Sequence, residues 1–257
     1  MARQARKKSE TGIYHIMLRG IDKRNIFLDD EDKRKFINSI IKAKKRGNFT
    51  LYAYCILNNH VHLLIKEESE SIGESVKRIT VGYIAWHNDK YKRTGHLFEN
   101  RFKSEPVETD ISFFRVLRYI HQNPLKAGIV KKLKDYHWSS YRQYINKYNG
   151  FNSFIDTELT LSYFRSFKAF KSYNMEKNDD EYLEYKPIKK YNDENLRNDI
   201  LDKYVIDEIV NLPPRERNLI IKNIYHEFGV SIVQLSRVMG VGRGIVQRAV
   251  KQDKCVK

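Results

Sequence analysis

The sequence predicts an α+β fold: an antiparallel sheet with helices packed on one face, followed by a small all-α domain. Three observations carry that expectation. Short alternating segments rich in β-branched and aromatic residues are interleaved with amphipathic helical segments over the first 145 residues. Their order is strand, helix, strand, strand, helix, strand, the order of a ferredoxin-like layout. Beyond residue 196 the alternation stops and helical periodicity takes over.

Ile13-Tyr-His-Ile-Met-Leu-Arg19 alternates and stops at Gly20, so it reads as a strand and turn. Asp29 and Asp30 then suit a helix N-cap and first turn, Phe36, Ile37, Ile40 and Ile41 repeat at helical spacing, and Gly47-Asn48 closes the helix. Phe49 to Leu57 and Val61 to Lys66 are strands joined through Asn58-Asn59, a pair that tolerates a tight turn. A second helix is expected over Ser71 to Lys90, one or two strands within Leu97 to Val107, and a third helix from Ile111 to Asn123, where Pro124 should end it.

Residues 146–195 are rich in Asn, Lys, Tyr and Phe and read as a connector with some helix between domains at 1–145 and 196–257. The 257 residues suit one large or two ordinary domains, and 41% hydrophobic residues suffice for a core. With 31% charged residues and a mean hydropathy of −0.64, an integral membrane protein is excluded. The basic start is no secretory signal, so cytoplasmic residence is the default expectation. Cys55 and Cys255 are too few for a disulfide framework or a thiolate zinc site and read as plain thiols.

The net charge of +16 favours a polyanionic partner, with nucleic acid ahead of an anionic membrane surface. Residues 1–145 carry 29 basic and 16 acidic side chains, so the excess concentrates there.

His60 and His62 lie two apart on a strand, so both imidazoles project from one face and can supply two ligands to one divalent ion. Tyr119 and Asn123 stand four apart on a helix and share a face. A phenol is a weak nucleophile at neutral pH, and phosphoryl chemistry at Tyr119 would need a metal and a cationic setting. Arg19, Arg101, Lys103, Arg115 and Arg118 are the candidate phosphate contacts. Leu97-Phe98, Phe102 and Trp138 could stack bases but suit a core better, and His121 and His137 have no partner at ligand spacing.

Six blocks occur in order: Gly12-Ile-Tyr-His-Ile-Met-Leu-Arg-Gly20, Ile26-Phe27, Asn58-Asn-His-Val-His-Leu-Leu64, Gly95-His-Leu-Phe-Glu-Asn-Arg-Phe102, Arg118-Tyr-Ile-His-Gln-Asn-Pro-Leu-Lys-Ala-Gly128 and Trp138-Ser-Ser-Tyr141. Over residues 10–145 the chain resembles the single-tyrosine HUH transposases, in particular the REP-associated tyrosine transposases. The resemblance implies a metal-dependent nuclease that cuts and rejoins single-stranded DNA beside a hairpin through a 5′-phosphotyrosine. It implies Tyr119 as nucleophile, His60 and His62 as metal ligands, and Asn123 as a third ligand where many relatives have Gln. The implied ion is Mg2+ or Mn2+: an imidazole pair also suits zinc, but a phosphodiester brings hard oxygens of its own. No nucleotide cofactor is expected, in keeping with the lack of a Walker-type sequence.

Val230 to Val250 reads as helix, glycine-containing turn, helix, with Arg217 to Phe228 as a supporting helix. This is helix-turn-helix spacing: Leu235, Val238, Val241 and Val246 would pack the two helices, Ser236 would sit at their crossing, and Arg243, Gln247, Arg248 and Lys251 would face duplex DNA. The other readings are a helical packing or dimerisation domain for the tail, and for the whole chain either a non-catalytic DNA- or RNA-binding regulator or a phosphodiesterase that activates water. A monomer is favoured over a homodimer.

Overall fold

A computed structural model describes residues 6–47, 49–99, 101–178, 180, 182–183 and 191–251. The chain divides into two compact units, Met1–Glu184 and Tyr185–Lys257.

The first unit is built on a four-stranded antiparallel sheet in the order β2-β3-β1-β4, from β1 (Ile13–Arg19), β2 (Phe49–Ile56), β3 (His60–Glu67) and β4 (Lys103–Pro106). This is the ferredoxin-like layout read from the sequence. Helix α1 (Asp30–Arg46) starts at a capping box in which Asp29 and Asp32 each accept from the other's backbone N–H. Helix α2 (Ile72–Lys90) starts at Ser71, whose side chain accepts from the Glu74 N–H. Phe27, Phe36 and Tyr83 interlock around the α1–α2 contact, with Phe36 edge-on to the other two rings. On β3, Val61, Leu63 and Ile65 are fully buried, and each apolar side chain contributes about 1.5–3 kcal/mol. The 97–107 stretch forms one named strand among the described residues; its earlier part joins the sheet through a bridge between Gly20 and Phe98.

Helix α3 (Asp110–Lys126) is capped by Thr109 and Ser112 and packs on β2 and β3. Its length corrects an expectation: it runs through Pro124 rather than stopping at Asn123. Asn123 and Pro124 are buried, and beyond the missing proline N–H the helix resumes with Ala127 N–H donating to the Asn123 carbonyl. Tertiary burial of the last turn outweighs the lost backbone bond.

The connector expectation is also corrected. Helices α4 (Tyr141–Tyr148), α5 (Glu158–Tyr163) and α6 (Phe167–Met175) pack on the first unit, with Tyr144, Ile155, Phe164 and Phe170 in its core. Phe170 stacks on Tyr141 and Tyr144, and the Asn174 amide oxygen pairs with one ring nitrogen of His121 while the other meets Ser140 Oγ. The aromatic enrichment that looked like a loosely built connector is therefore core material. Leu97 and Phe98 are buried, and Phe102 and Trp138 pack partly buried against the same core. Cys55 is a buried free thiol whose pKa burial pushes up; Cys255 lies outside the described residues.

His121 lies wholly inside this core, and burial lowers its pKa from 6.5 to about 4. The unfolded chain then binds the proton more readily, so stability present above pH 6.5 is lost as the pH falls toward 4. At the lower end the cost reaches about 3 kcal/mol. Melting temperature should fall across that window and fall less in His121→Gln; equal profiles would refute the assignment.

The second unit comprises α7 (Asp193–Leu201), α8 (Ile206–Asn211), α9 (Pro214–Phe228), α10 (Ile232–Met239) and α11 (Arg243–Lys251). Its core holds Leu196, Ile200, Ile206 and Ile209 together with Leu235, Val238, Val241 and Val246, so compact structure begins before Pro213-Pro214. Helix α10 ends at Gly240 with φ of +65°, a left-handed cap that suits glycine. Three residues later α11 begins, and Arg243, Gln247 and Arg248 are exposed along it. The Lys251 side chain lies outside the described residues.

Candidate active site

The site starts from the alternation of β1 and β3. Residues directly opposite in an antiparallel pair project from the same face, and Met17 pairs with His62, Arg19 with His60 and His15 with Leu64. His15, Met17, Arg19, His60 and His62 therefore share one face. Helix α3 brings Tyr119 to it: the phenol ring meets His62 edge-on at 5.4 Å between centroids and His15 at 5.7 Å. His60 and His62 stand perpendicular at 5.0 Å.

His60 Nδ1 lies 2.6 Å from Asn59 Oδ1, and Asn123 is the ring's other hydrogen-bond partner. The Asn123 amide nitrogen donates to the Tyr119 carbonyl at 3.1 Å, which leaves the amide oxygen for the histidine side. Burial lowers the His60 pKa to about 4, assisted by the nearby Arg19 cation, and holds His62 well below its ordinary value. Both imidazoles are neutral at neutral pH and present lone pairs. His60 and the Asn123 amide, hydrogen-bonded to one another, could each turn a lone pair to a divalent cation. Two imidazoles and an amide oxygen thus fit such an ion, with positions left for phosphate oxygens and water. Among the described residues no group of three or more His, Cys, Asp or Glu side chains could hold a metal.

Tyr119 is fully buried, with Tyr182 edge-on at 5.3 Å and the Lys126 ammonium 5.3 Å from its ring centre. In this state Tyr119 is closed to solvent.

The five candidate phosphate contacts separate. Arg19 is half-buried beside His60, and exposed Lys103 begins β4 within electrostatic reach of Arg19. Arg101 and Arg115 are exposed. Arg118 is a correction: its guanidinium is buried, donating to Glu176 at 2.8 Å and Asp180 at 2.7 Å, with Tyr173 beneath it. Both terminal guanidinium nitrogens are committed within the fold, to Glu176 and Asp180, while Nε is buried without a hydrogen-bond partner. Arg118→Ala should therefore lower stability by about 1–3 kcal/mol in denaturant titration and leave DNA affinity within about twofold. A large affinity loss at unchanged stability would return Arg118 to the DNA contacts.

His15 was missed as a site residue. Its Nε2 lies 2.9 Å from His62 Nδ1, and both rings are buried. The signal was available in the alternation of Ile13–Arg19, which puts His15 on the same face as Arg19; the partner strand was not.

The sheet thus brings a His-x-His strand against a helix-borne tyrosine, and the comparisons show what the chain is similar to. Residues 8–123 match the family described as "Transposase IS200 like". A Haemophilus influenzae (strain ATCC 51907 / DSM 11121 / KW20 / Rd) relative described as a REP-associated tyrosine transposase is 24% identical over 159 residues, covering 56% of this chain and 87% of the relative. A solved structure of a REP-associated tyrosine transposase bound to a REP hairpin aligns with a TM-score of 0.49 and 18% identity, over 60% of this chain and 90% of the other. No described helix is long and apolar enough to cross a membrane.

Proposed function

We propose that the first unit is a metal-dependent single-strand DNA endonuclease and strand transferase that works through a 5′-phosphotyrosine at hairpin-associated sites. The observation that carries this reading is the convergence of His60, His62 and Asn123 on Tyr119. The excess of basic residues in 1–145 and the IS200-like family match support DNA as the substrate.

In this mechanism the Tyr119 oxygen attacks the scissile phosphorus, the bond from phosphorus to the 3′ oxygen breaks, and the departing strand keeps a 3′-hydroxyl. The bond formed is a phosphodiester to tyrosine, so a 3′-hydroxyl can reverse the step and rejoin strands without a nucleotide cofactor. A bound Mg2+ or Mn2+ supplies Lewis-acid polarisation of the phosphate. His60, His62 and Asn123 would hold it through two imidazole nitrogens and an amide oxygen. Arg19 and Lys103 favour the anionic strand on the His60 side, and α3 holds the Tyr119 ring against His62. Because tyrosine and histidines meet within one chain, a monomer can be catalytically complete, which supports the monomer over a shared-site dimer.

The test is incubation with labelled single-stranded hairpin DNA from the flanks of the protein's own gene, with Mn2+ or Mg2+. A metal-dependent covalent band on a denaturing gel is the expected result; binding without adduct or cleavage on those substrates overturns the reading.

For the second unit the proposal is duplex DNA binding by a helix-turn-helix, with α11 entering the major groove. The tight α10–α11 turn and exposed Arg243, Gln247 and Arg248 support it. Replacing Arg243 or Arg248 with alanine should weaken duplex binding of the full chain and reduce the salt slope by about one for each phosphate no longer neutralised. Unchanged duplex affinity in the double variant would leave the unit a packing or dimerisation module.

A further inference from the structure

A fully buried histidine with no assigned role stands directly behind the candidate metal site. His15 projects from β1 onto the face that carries His62; its Nε2 is 2.9 Å from His62 Nδ1, and the two rings stack with centroids 5.1 Å apart. Tyr119 and Tyr182 pack edge-on against His15 and restrict its rotation. Its Nδ1 is buried without a hydrogen-bond partner. An apolar side chain would fill this position without stranding a polar atom, so filling space does not account for an imidazole here. What the imidazole supplies is one hydrogen bond to His62.

That bond shares a single proton between His62 Nδ1 and His15 Nε2, and which nitrogen carries it decides what His62 can do. If His15 Nε2 donates, His62 holds its own proton on Nε2, and the nitrogen remote from His15 cannot bind a cation. If His62 Nδ1 donates, its Nε2 is left with a lone pair, and the His15 proton sits on Nδ1. Histidines that hold metals ordinarily direct their second nitrogen to a partner that fixes tautomer and ring angle.

We propose that His15 is a positioning residue: it accepts from His62 Nδ1–H and thereby keeps His62 Nε2 unprotonated and aimed at the cation. This rests on the proposed function of the same site. His15 touches neither phosphate nor cation in this assignment; it acts through His62.

Two measurements on the full chain test it. Long-range nitrogen–proton correlation spectra of metal-free protein labelled with 15N-histidine should show His62 protonated on Nδ1; protonation on Nε2 overturns the proposal. Binding of Mn2+ alone, followed by loss of the free-ion electron paramagnetic resonance signal, should then weaken about 10- to 100-fold in His15→Leu. It should stay within about threefold of wild type in His15→Gln, whose amide oxygen can accept the same hydrogen bond. Equal loss in both variants, at matched melting temperature, would make His15 a packing residue and overturn the proposal. So would unchanged binding in His15→Leu while wild type binds normally. Failure of wild type to bind Mn2+ is a different result: it removes the metal-site reading on which the assignment stands.

Discussion

Tyr119→Phe is expected to form no covalent protein–DNA adduct and to cut hairpin-flanking single-stranded DNA at least about 1,000-fold more slowly than wild type, because the oxygen that would attack phosphorus is gone. Hairpin affinity should stay within about twofold, since the substitution leaves the ring and hence its edge contacts with His15, His62 and Tyr182 intact. Removal of one hydroxyl costs about 1 kcal/mol of stability, too little to unfold a domain with this core. Denaturing gels after single-turnover incubation read the adduct, and gel-shift titration reads binding. Cleavage that survives the substitution would make Tyr119 structural and assign the site to activation of water.

The second large effect belongs to the histidine pair. His60→Ala and His62→Ala should each reduce the metal-dependent nicking rate about 100- to 10,000-fold, and excess EDTA should abolish wild-type nicking until Mn2+ is restored. The two variants differ in what else they cost. His60 is half-buried at the end of β3, so its loss is mainly functional. His62 is buried within the sheet face, so alanine leaves a cavity and an unpartnered His15, costing about 2–4 kcal/mol. A melting curve beside each rate separates the two contributions. Nicking that proceeds in EDTA at the wild-type rate would refute metal dependence even if both variants were inactive.

Much of the site was legible because its parts are local. A strand places residues two apart on one face, and a helix places residues four apart on one face, so His60 with His62 and Tyr119 with Asn123 could be paired from spacing. The strand and helix order gave the sheet class for the same reason, and the start of α2 follows Ser71 as an N-cap. The residues read less well are those whose partners lie far along the chain. Arg118 looked like one more surface cation until Glu176 and Asp180, 58 and 62 positions later, took its donors. Phe164 and Phe170 sat in a polar stretch with no clear period, yet they complete the first unit's core.

The sequence by itself determined the chemistry available to this protein: a histidine pair on one strand, a tyrosine and an asparagine on one helical face, an excess of cations over 1–145, and a second helical segment with basic positions along its last helix. Each is a consequence of backbone periodicity or composition, which a window of a few residues contains. Only the tertiary structure decided that the helical face meets the strand face, that Tyr182 packs edge-on against Tyr119, and that His15 backs His62 across 47 residues. Those contacts depend on strand register and on which apolar faces bury one another. Such choices are settled by the packing of the whole core, so no local segment encodes them.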